Sequence, residues 1–370
     1  MKKLGFGLMR LPLNASGDGK DIDMARVNKM VDDFIGADFT YFDTAYPYHG
    51  GQSEIAFREA VAKRYPREAY TVTTKMPIFN NPTEEEMQKI FNEQLEKCGV
   101  EYFDYYLLHA MNKGRYEFCK TVNAFEFVAR MKAEGKIKHV GFSFHDSAAV
   151  LDMILTEHPE IEYVQLQINY IDWEDDNVEG RKCYETCVKH SKPVIVMEPI
   201  KGGSLAVLPE AAETLLKNHN SEASIASWAV RYVASLDNVV MVLSGMSTEE
   251  QMNDNISYMK DFKPLDETEQ TLIAEASEII KNATPIPCTG CRYCTDGCPM
   301  QINIPEMFKI YNNTKKFPGI PAKAAPGQYK RLIEKSGKAS DCIECGQCMA
   351  HCPQNIEITD WLKTVAEVFE

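Results

Sequence analysis

Along the first three quarters of the chain, short apolar runs rich in Val, Ile, Tyr and Phe alternate with longer stretches whose apolar residues recur at helical spacing. The runs fall at 4–9, 39–43, 70–75, 104–109, 138–143, 162–167, 193–197 and 239–244. A strand followed by a helix, repeated, is the pattern of βα units around a parallel sheet, since the helices cover the faces of the sheet. Eight such units over about 280 residues predict an α/β fold of the (β/α)8 TIM-barrel type, with its chemistry at the C-terminal ends of the strands. An open doubly wound sheet is the alternative, but no Gly-x-Gly-x-x-Gly opens any of the helical stretches; Gly5 and Gly7 belong to the first strand. The last barrel helix is expected over 266–281. Residues 282–287, with Pro285 and Pro287, form a short linker, so the expected organisation is a barrel over 1–281 and a smaller docked domain over 282–370.

Composition narrows the function classes. The formal net charge of −14 argues against a general nucleic-acid binder, because no broad basic face offsets it. The N-terminus lacks the apolar run of an export signal and no stretch is long and apolar enough to cross a bilayer, so the expected location is cytoplasmic, without membrane association. Twelve cysteines in a reducing compartment point to metal ligation rather than to disulfides. Eight of them form two runs of identical spacing: Cys288, Cys291, Cys294 and Cys298 before Pro299, and Cys342, Cys345, Cys348 and Cys352 before Pro353. Each reads C-x2-C-x2-C-x3-C-P, the bacterial two-cluster ferredoxin pattern, in which the fourth cysteine ligates the other cluster. Two [4Fe-4S] clusters are therefore expected, one on Cys288, Cys291, Cys294 and Cys352, the other on Cys342, Cys345, Cys348 and Cys298. A pair of zinc ribbons is the competing reading, but zinc needs neither the third spaced cysteine nor the proline. Cys98, Cys119, Cys183 and Cys187 sit in helical contexts and read as packing residues. Between the runs, Pro318, Pro321 and Pro326 accompany Lys315, Lys316, Lys323, Lys330, Arg331, Lys335 and Lys338. These charges form a solvated surface, balance the negative clusters or face an acidic redox partner protein.

Polar residues stand at the expected strand ends in succession: Asp43 after the second strand, Tyr48 in the loop beyond it, Lys75 at the third and His109 at the fourth. Their order, their strand placement and the Asp-x4-Tyr spacing resemble the catalytic tetrad of the aldo-keto reductases, nicotinamide-dependent (β/α)8 enzymes, over residues 1–280. Reducing a carbonyl needs hydride at carbon and a proton at oxygen. The resemblance makes Tyr48 the acid, with its pKa of about 10 lowered by the Lys75 ammonium, which Asp43 anchors. His109 orients the small-molecule carbonyl or alcohol by a hydrogen bond to the same oxygen.

The resemblance also implies a cofactor, NADP or NAD. Ser143 at the fifth strand and Gln165 at the sixth correspond to the carboxamide contacts, although Phe144, beside His145, replaces the usual asparagine. Met197 stands where an aromatic ring ordinarily stacks on the nicotinamide. Lys201 and Gly203 fall where backbone and charge approach phosphate, and Gly245, Ser247, Gln251 and Asn255 where the adenosine 2′-phosphate meets a helix start. Gln251 replaces an arginine common among relatives. Substrate choice is expected to reside in loops such as 169–173. A flavin is possible in such a chain, since nicotinamides give electrons in pairs and clusters take them singly, but no motif indicates one. The alternative function is an electron-transfer or redox-sensing module whose barrel binds nucleotide or an unseen flavin without aldehyde turnover.

Overall fold

A computed structural model describes residues 2–15, 19–316 and 320–370; Pro318 lies outside them. By its packing the chain divides into two compact units. The first comprises Met1–Glu174, Glu179–Pro199 and Val230–Pro264, the second Asp175–Val178, Ile200–Ala229 and Leu265–Glu370.

In the first unit all eight expected strands are present: β1 (Leu4–Gly7), β2 (Tyr41–Asp43), β3 (Thr71–Met76), β4 (Phe103–Met111), β5 (Ile137–Phe144), β6 (Tyr163–Gln167), β7 (Val194–Met197) and β8 (Val239–Ser244). They pair in parallel, each with the next, and β8 pairs with β1 to close the barrel. Tyr41, Leu107, Tyr163, Ile195, Met241 and Leu243 pack into a barrel-interior layer. Gly141 is required there, because a Cβ on it would lie 2.6 Å from the Tyr163 carbonyl oxygen. β4 continues past its expected end, and its register with β5 breaks between Leu108 and Met111. Ala110, inside this bulge, adopts φ +57° and donates its N–H to Ser143 Oγ at 2.7 Å. Bulges of this kind redirect side chains next to functional sites.

The second unit has its own apolar core, including Ile286, Ile302, Ile304, Met307, Phe308, Ile358, Leu362 and Val365. Helices Ile304–Lys316, Ile320–Ile333 and Ile358–Phe369 frame the two cysteine runs, and Pro326 lies inside the second of them. Packing does not follow the covalent division at 281/282: helix Glu267–Ala283 opens with a capping box of Asp266 and Glu269 and groups with the cysteine runs, as does segment Ile200–Ala229.

Candidate active site and cysteine cavities

Strand geometry brings the tetrad together. Asp43 is the last residue of β2, Lys75 lies near the end of β3, His109 near the end of β4, and Tyr48 begins a tight turn through left-handed His49, Gly50 and Gly51. Lys75 Nζ donates to Asp43 Oδ1 at 2.6 Å and to the Thr44 carbonyl at 2.7 Å. Both side chains are buried, Lys75 to 1% exposure. The same Nζ lies 5.0 Å from the centre of the Tyr48 ring, and the rings of Tyr48 and His109 are 6.0 Å apart, edge to face. Burial pushes the Asp43 carboxyl up and the Lys75 ammonium down, while their mutual contact opposes both shifts.

Below Lys75 lies a polar network that the sequence pattern did not reveal. Glu54 Oε1 accepts from Thr74 Oγ1 at 2.7 Å and from Gln94 Nε2 at 2.9 Å; Gln94 Nε2 also donates to the Lys75 carbonyl, and Tyr106 donates to Gln94 Oε1 at 2.6 Å. Burial raises the Glu54 carboxyl. The available signal was Gln94, a polar residue at a core-facing position of helix Glu84–Cys98.

His109 is buried, with no partner for Nδ1 among the described residues. Its pKa is held well below the usual imidazole value, by burial first and then by the positive charges of Lys75, His145 and Arg115. It is therefore a neutral ring able to donate one hydrogen bond. The bulge at Ala110 turns its carbonyl to accept from Arg115 Nη1 at 2.6 Å, placing a guanidinium close by. His145, a half-buried residue, is pushed down to about 4 by burial and then by Arg115. Arg115 had no sequence signal beyond its charge.

The residues expected to meet a nicotinamide nucleotide fall into two sets. In the first unit, Ser143 and Gln165 are buried side by side on paired strands, and Gln165 Nε2 donates to Asp43 Oδ2 at 3.4 Å. Met197 ends β7. Beyond β8, Gly245 packs on the Arg10 side chain, Ser247 Oγ donates to the Arg10 carbonyl at 2.6 Å, Gln251 Oε1 accepts from Ser247 N–H, and Asn255 Nδ2 donates to the Gln251 carbonyl. Arg10 was missed by the sequence reading. Three buried oxygens here, Gln165 Oε1, Ser244 Oγ and Asn255 Oδ1, lack a protein partner among the described residues, which fits a polar ligand bringing its own donors. Lys201 and Gly203 belong to the second unit, where Lys201 Nζ donates to Gln354 Oε1 at 3.3 Å. In the loop 169–173, Asp172 accepts from Gln167 and Asn169 at 2.8 and 2.7 Å.

In the second unit the eight cysteines line two small cavities. Cys288, Cys291, Cys294 and Cys352 surround one, Cys298, Cys342, Cys345 and Cys348 the other, so each run sends its fourth cysteine across to its counterpart. Among the described residues no three Cys, His, Asp or Glu side chains converge on one point as a single ion requires. Four thiols spread around a cavity suit a cluster that offers each sulfur its own iron, rather than zinc with four sulfurs at about 2.3 Å from one centre. Burial pushes the Cys288 thiol up to about 11, against the opposing influence of the Gly290 N–H and Lys201. Cys98, Cys119, Cys183 and Cys187 are buried packing residues whose thiols burial likewise raises.

Residues 3–278 match the aldo/keto reductase family, and residues 287–357 match a 4Fe-4S dicluster domain. An uncharacterized oxidoreductase of Schizosaccharomyces pombe is 23% identical over 273 residues, covering 69% of this chain and 81% of its own. An aldo-keto reductase of Mycolicibacterium paratuberculosis is 26% identical over 218 residues, 58% of this chain and 69% of its own. Among solved structures, an aldo/keto reductase from Klebsiella pneumoniae in complex with NADP and acetate superposes with a TM-score of 0.60 at 17% identity, covering 74% of this chain and 90% of its own. No helix among the described residues is long and apolar enough to cross a membrane.

Proposed function

Because the chain belongs to the aldo/keto reductase family, we propose that its barrel interconverts a small carbonyl compound and its alcohol, using NADP or NAD, and that its cysteine cavities hold two [4Fe-4S] clusters. The observation that carries the first part is the buried Asp43–Lys75 pair, with Lys75 Nζ 5.0 Å from the centre of the Tyr48 ring and the His109 ring edge to face with it at 6.0 Å. The nicotinamide, when bound, supplies or accepts the hydride at the carbonyl carbon. Tyr48 Oη gives its proton to the carbonyl oxygen in reduction, the Lys75 charge stabilises the phenolate left behind, and Asp43 with the Thr44 carbonyl keeps Lys75 in place. His109 orients the same oxygen with its donated hydrogen bond. Ser143 and Gln165 would hold the carboxamide, Gln165 Oε1 being the acceptor left over; Gly245, Ser247, Gln251 and Asn255 would meet the adenosine end, beside Arg10. NADP in the Klebsiella pneumoniae relative supports a nicotinamide here.

A second reading, electron exchange with a redox partner protein, is favoured by one observation. Cys345 is exposed and Ile343 beside it is 61% exposed, so the second cavity opens toward solvent with an apolar residue at its mouth. Barrel 1–281 and cluster domain 282–370 are then two functional parts of a cytoplasmic protein.

Anaerobic purification, iron and sulfide analysis, and turnover of a panel of aldehydes with NADPH and NADH test the proposal together. Eight irons with no aldehyde turnover would leave the electron-transfer reading. For the ligand sets, Cys298→Ala should remove the cluster of Cys342, Cys345 and Cys348 and spare the other; loss of the sequence-adjacent cluster instead would refute the crosswise assignment.

A further inference from the structure

The loop after β7 contributes three ties within the second unit. Lys201, only 4% exposed, donates from Nζ to Gln354 Oε1, and Gln354 lines the first cysteine cavity with Cys288 and Cys352. Gly202, at φ +65°, brings the backbone so close that a Cβ would lie 2.0 Å from the carbonyl oxygen of Thr289, the residue after Cys288. The carbonyl of Ser204 accepts from Lys316 Nζ at 2.9 Å. A left-handed lysine followed by two left-handed glycines holds this contact, so the ammonium of Lys201 is fixed rather than free to swing into water.

The two cavities differ in the charge that this places beside them. Arg292, which lines the first, is exposed and screened by solvent, whereas Lys201 is buried behind the lining residue Gln354. Among the described residues lining the second cavity there is no charged side chain. A four-thiolate cluster gains one negative charge when it takes up an electron, and a buried cation favours the more negative state far more than an exposed one does.

We propose that Lys201 is an electrostatic positioning residue of the first cluster site, favouring its reduced state over the oxidised one and setting the two clusters at different reduction potentials. The proposal rests on the two-cluster reading above. Burial in an apolar cavity opposes the extra negative charge of reduction, and the Lys201 ammonium offsets that cost at this site alone. The electron comes one at a time from a low-potential reductant, and no exchange with a nicotinamide is required. A lysine placed by sequence near a nucleotide phosphate is thereby given a role in the cysteine domain.

The test is a dithionite titration of the full-length, anaerobically purified protein, followed by electron paramagnetic resonance, after iron and sulfide have been counted. Signals are assigned in a Cys345→Ala background, which removes a ligand of the second cluster only. Lys201→Met should lower the reduced-to-oxidised ratio of the first cluster about tenfold at fixed potential, ~59 mV for one electron, and leave the second unchanged. Lys201→Gln, which keeps a donor toward Gln354, should shift as far as Lys201→Met, and Lys201→Arg should stay close to wild type. An unchanged ratio in the charge-free variants, an equal shift of both clusters, or an arginine variant that falls as far as methionine would overturn the proposal. A wild-type protein with too few irons for two clusters would instead remove the two-cluster reading.

Discussion

In the barrel, buried charged groups have protein partners: Lys75 has Asp43 at 2.6 Å, Asp43 has Gln165 on its other oxygen, and one oxygen of Glu54 is held by Thr74 and Gln94. In the cysteine domain, eight thiols surround cavities walled largely by isoleucine, proline, methionine and leucine, and burial disfavours the thiolate form of Cys288, Cys294 and Cys348 that ligation needs. The barrel's buried ion pair is formed within the protein, although several buried polar atoms are left for a ligand; the cysteine cavities would be completed by the proposed clusters. The expectation is that iron binding and folding are coupled in the second region and separate in the first.

The sharpest way to break this contrast is to strip the iron from the full chain with a chelator and follow amide hydrogen exchange. Protection should collapse for peptides within 288–370 and persist in β1 to β8; parallel loss in both would show that the barrel depends on the clusters as well. Next in size is Tyr48→Phe, which should lower carbonyl turnover by about 10²–10⁴-fold while nucleotide affinity stays within about twofold, read by steady-state kinetics and fluorescence titration. Turnover at the wild-type level would remove Tyr48 as the acid.

Lys75→Met strands Asp43 in the core and should cost about 3–5 kcal/mol in denaturant unfolding of the barrel; adding Asp43→Leu should recover much of that loss. Failure of the double variant to recover would mean that the pair is not self-contained. The smallest effect concerns pH. The folded-state pKa of His109 is depressed, so between it and the unfolded value of about 6.5 the unfolded chain binds more protons. Its contribution is therefore present in full above that value and is lost as pH falls, with a slope of at most ~1.4 kcal/mol per pH unit. His109→Gln should flatten stability between pH 7 and pH 5 relative to wild type. His145, depressed to about 4, adds a second component that His145→Gln should remove.

Much of this protein is local in origin. Alternating apolar runs specify strands because β-branched and aromatic residues fit a pleated, covered sheet, and the expected strand limits fall within two residues of those observed. Cysteine spacing is equally legible, because a cluster needs ligands at short, fixed intervals along the chain. The placement of Asp43, Tyr48, Lys75 and His109 together could be anticipated since each occupies a strand end or the loop after one. What resisted reading joins residues far apart in sequence. Glu54 and Gln94 meet beneath Lys75 from separate helices, and Arg115 reaches the site because a bulge turns one carbonyl.

Lys201 marks the boundary between the two kinds of information. Its sequence supplies a cation and two glycines after β7, which is compatible with a phosphate or with any other electron-rich neighbour. Only the packing of segment Ile200–Ala229 with the cysteine runs places that ammonium on Gln354. The sequence by itself determined which elements form and which residues carry reactive groups, because those depend on propensity, period and spacing over a few residues. The tertiary structure alone decided which distant groups share a buried environment, because the strength of a charge interaction depends on distance through space and on exclusion of water, neither of which the order of residues records.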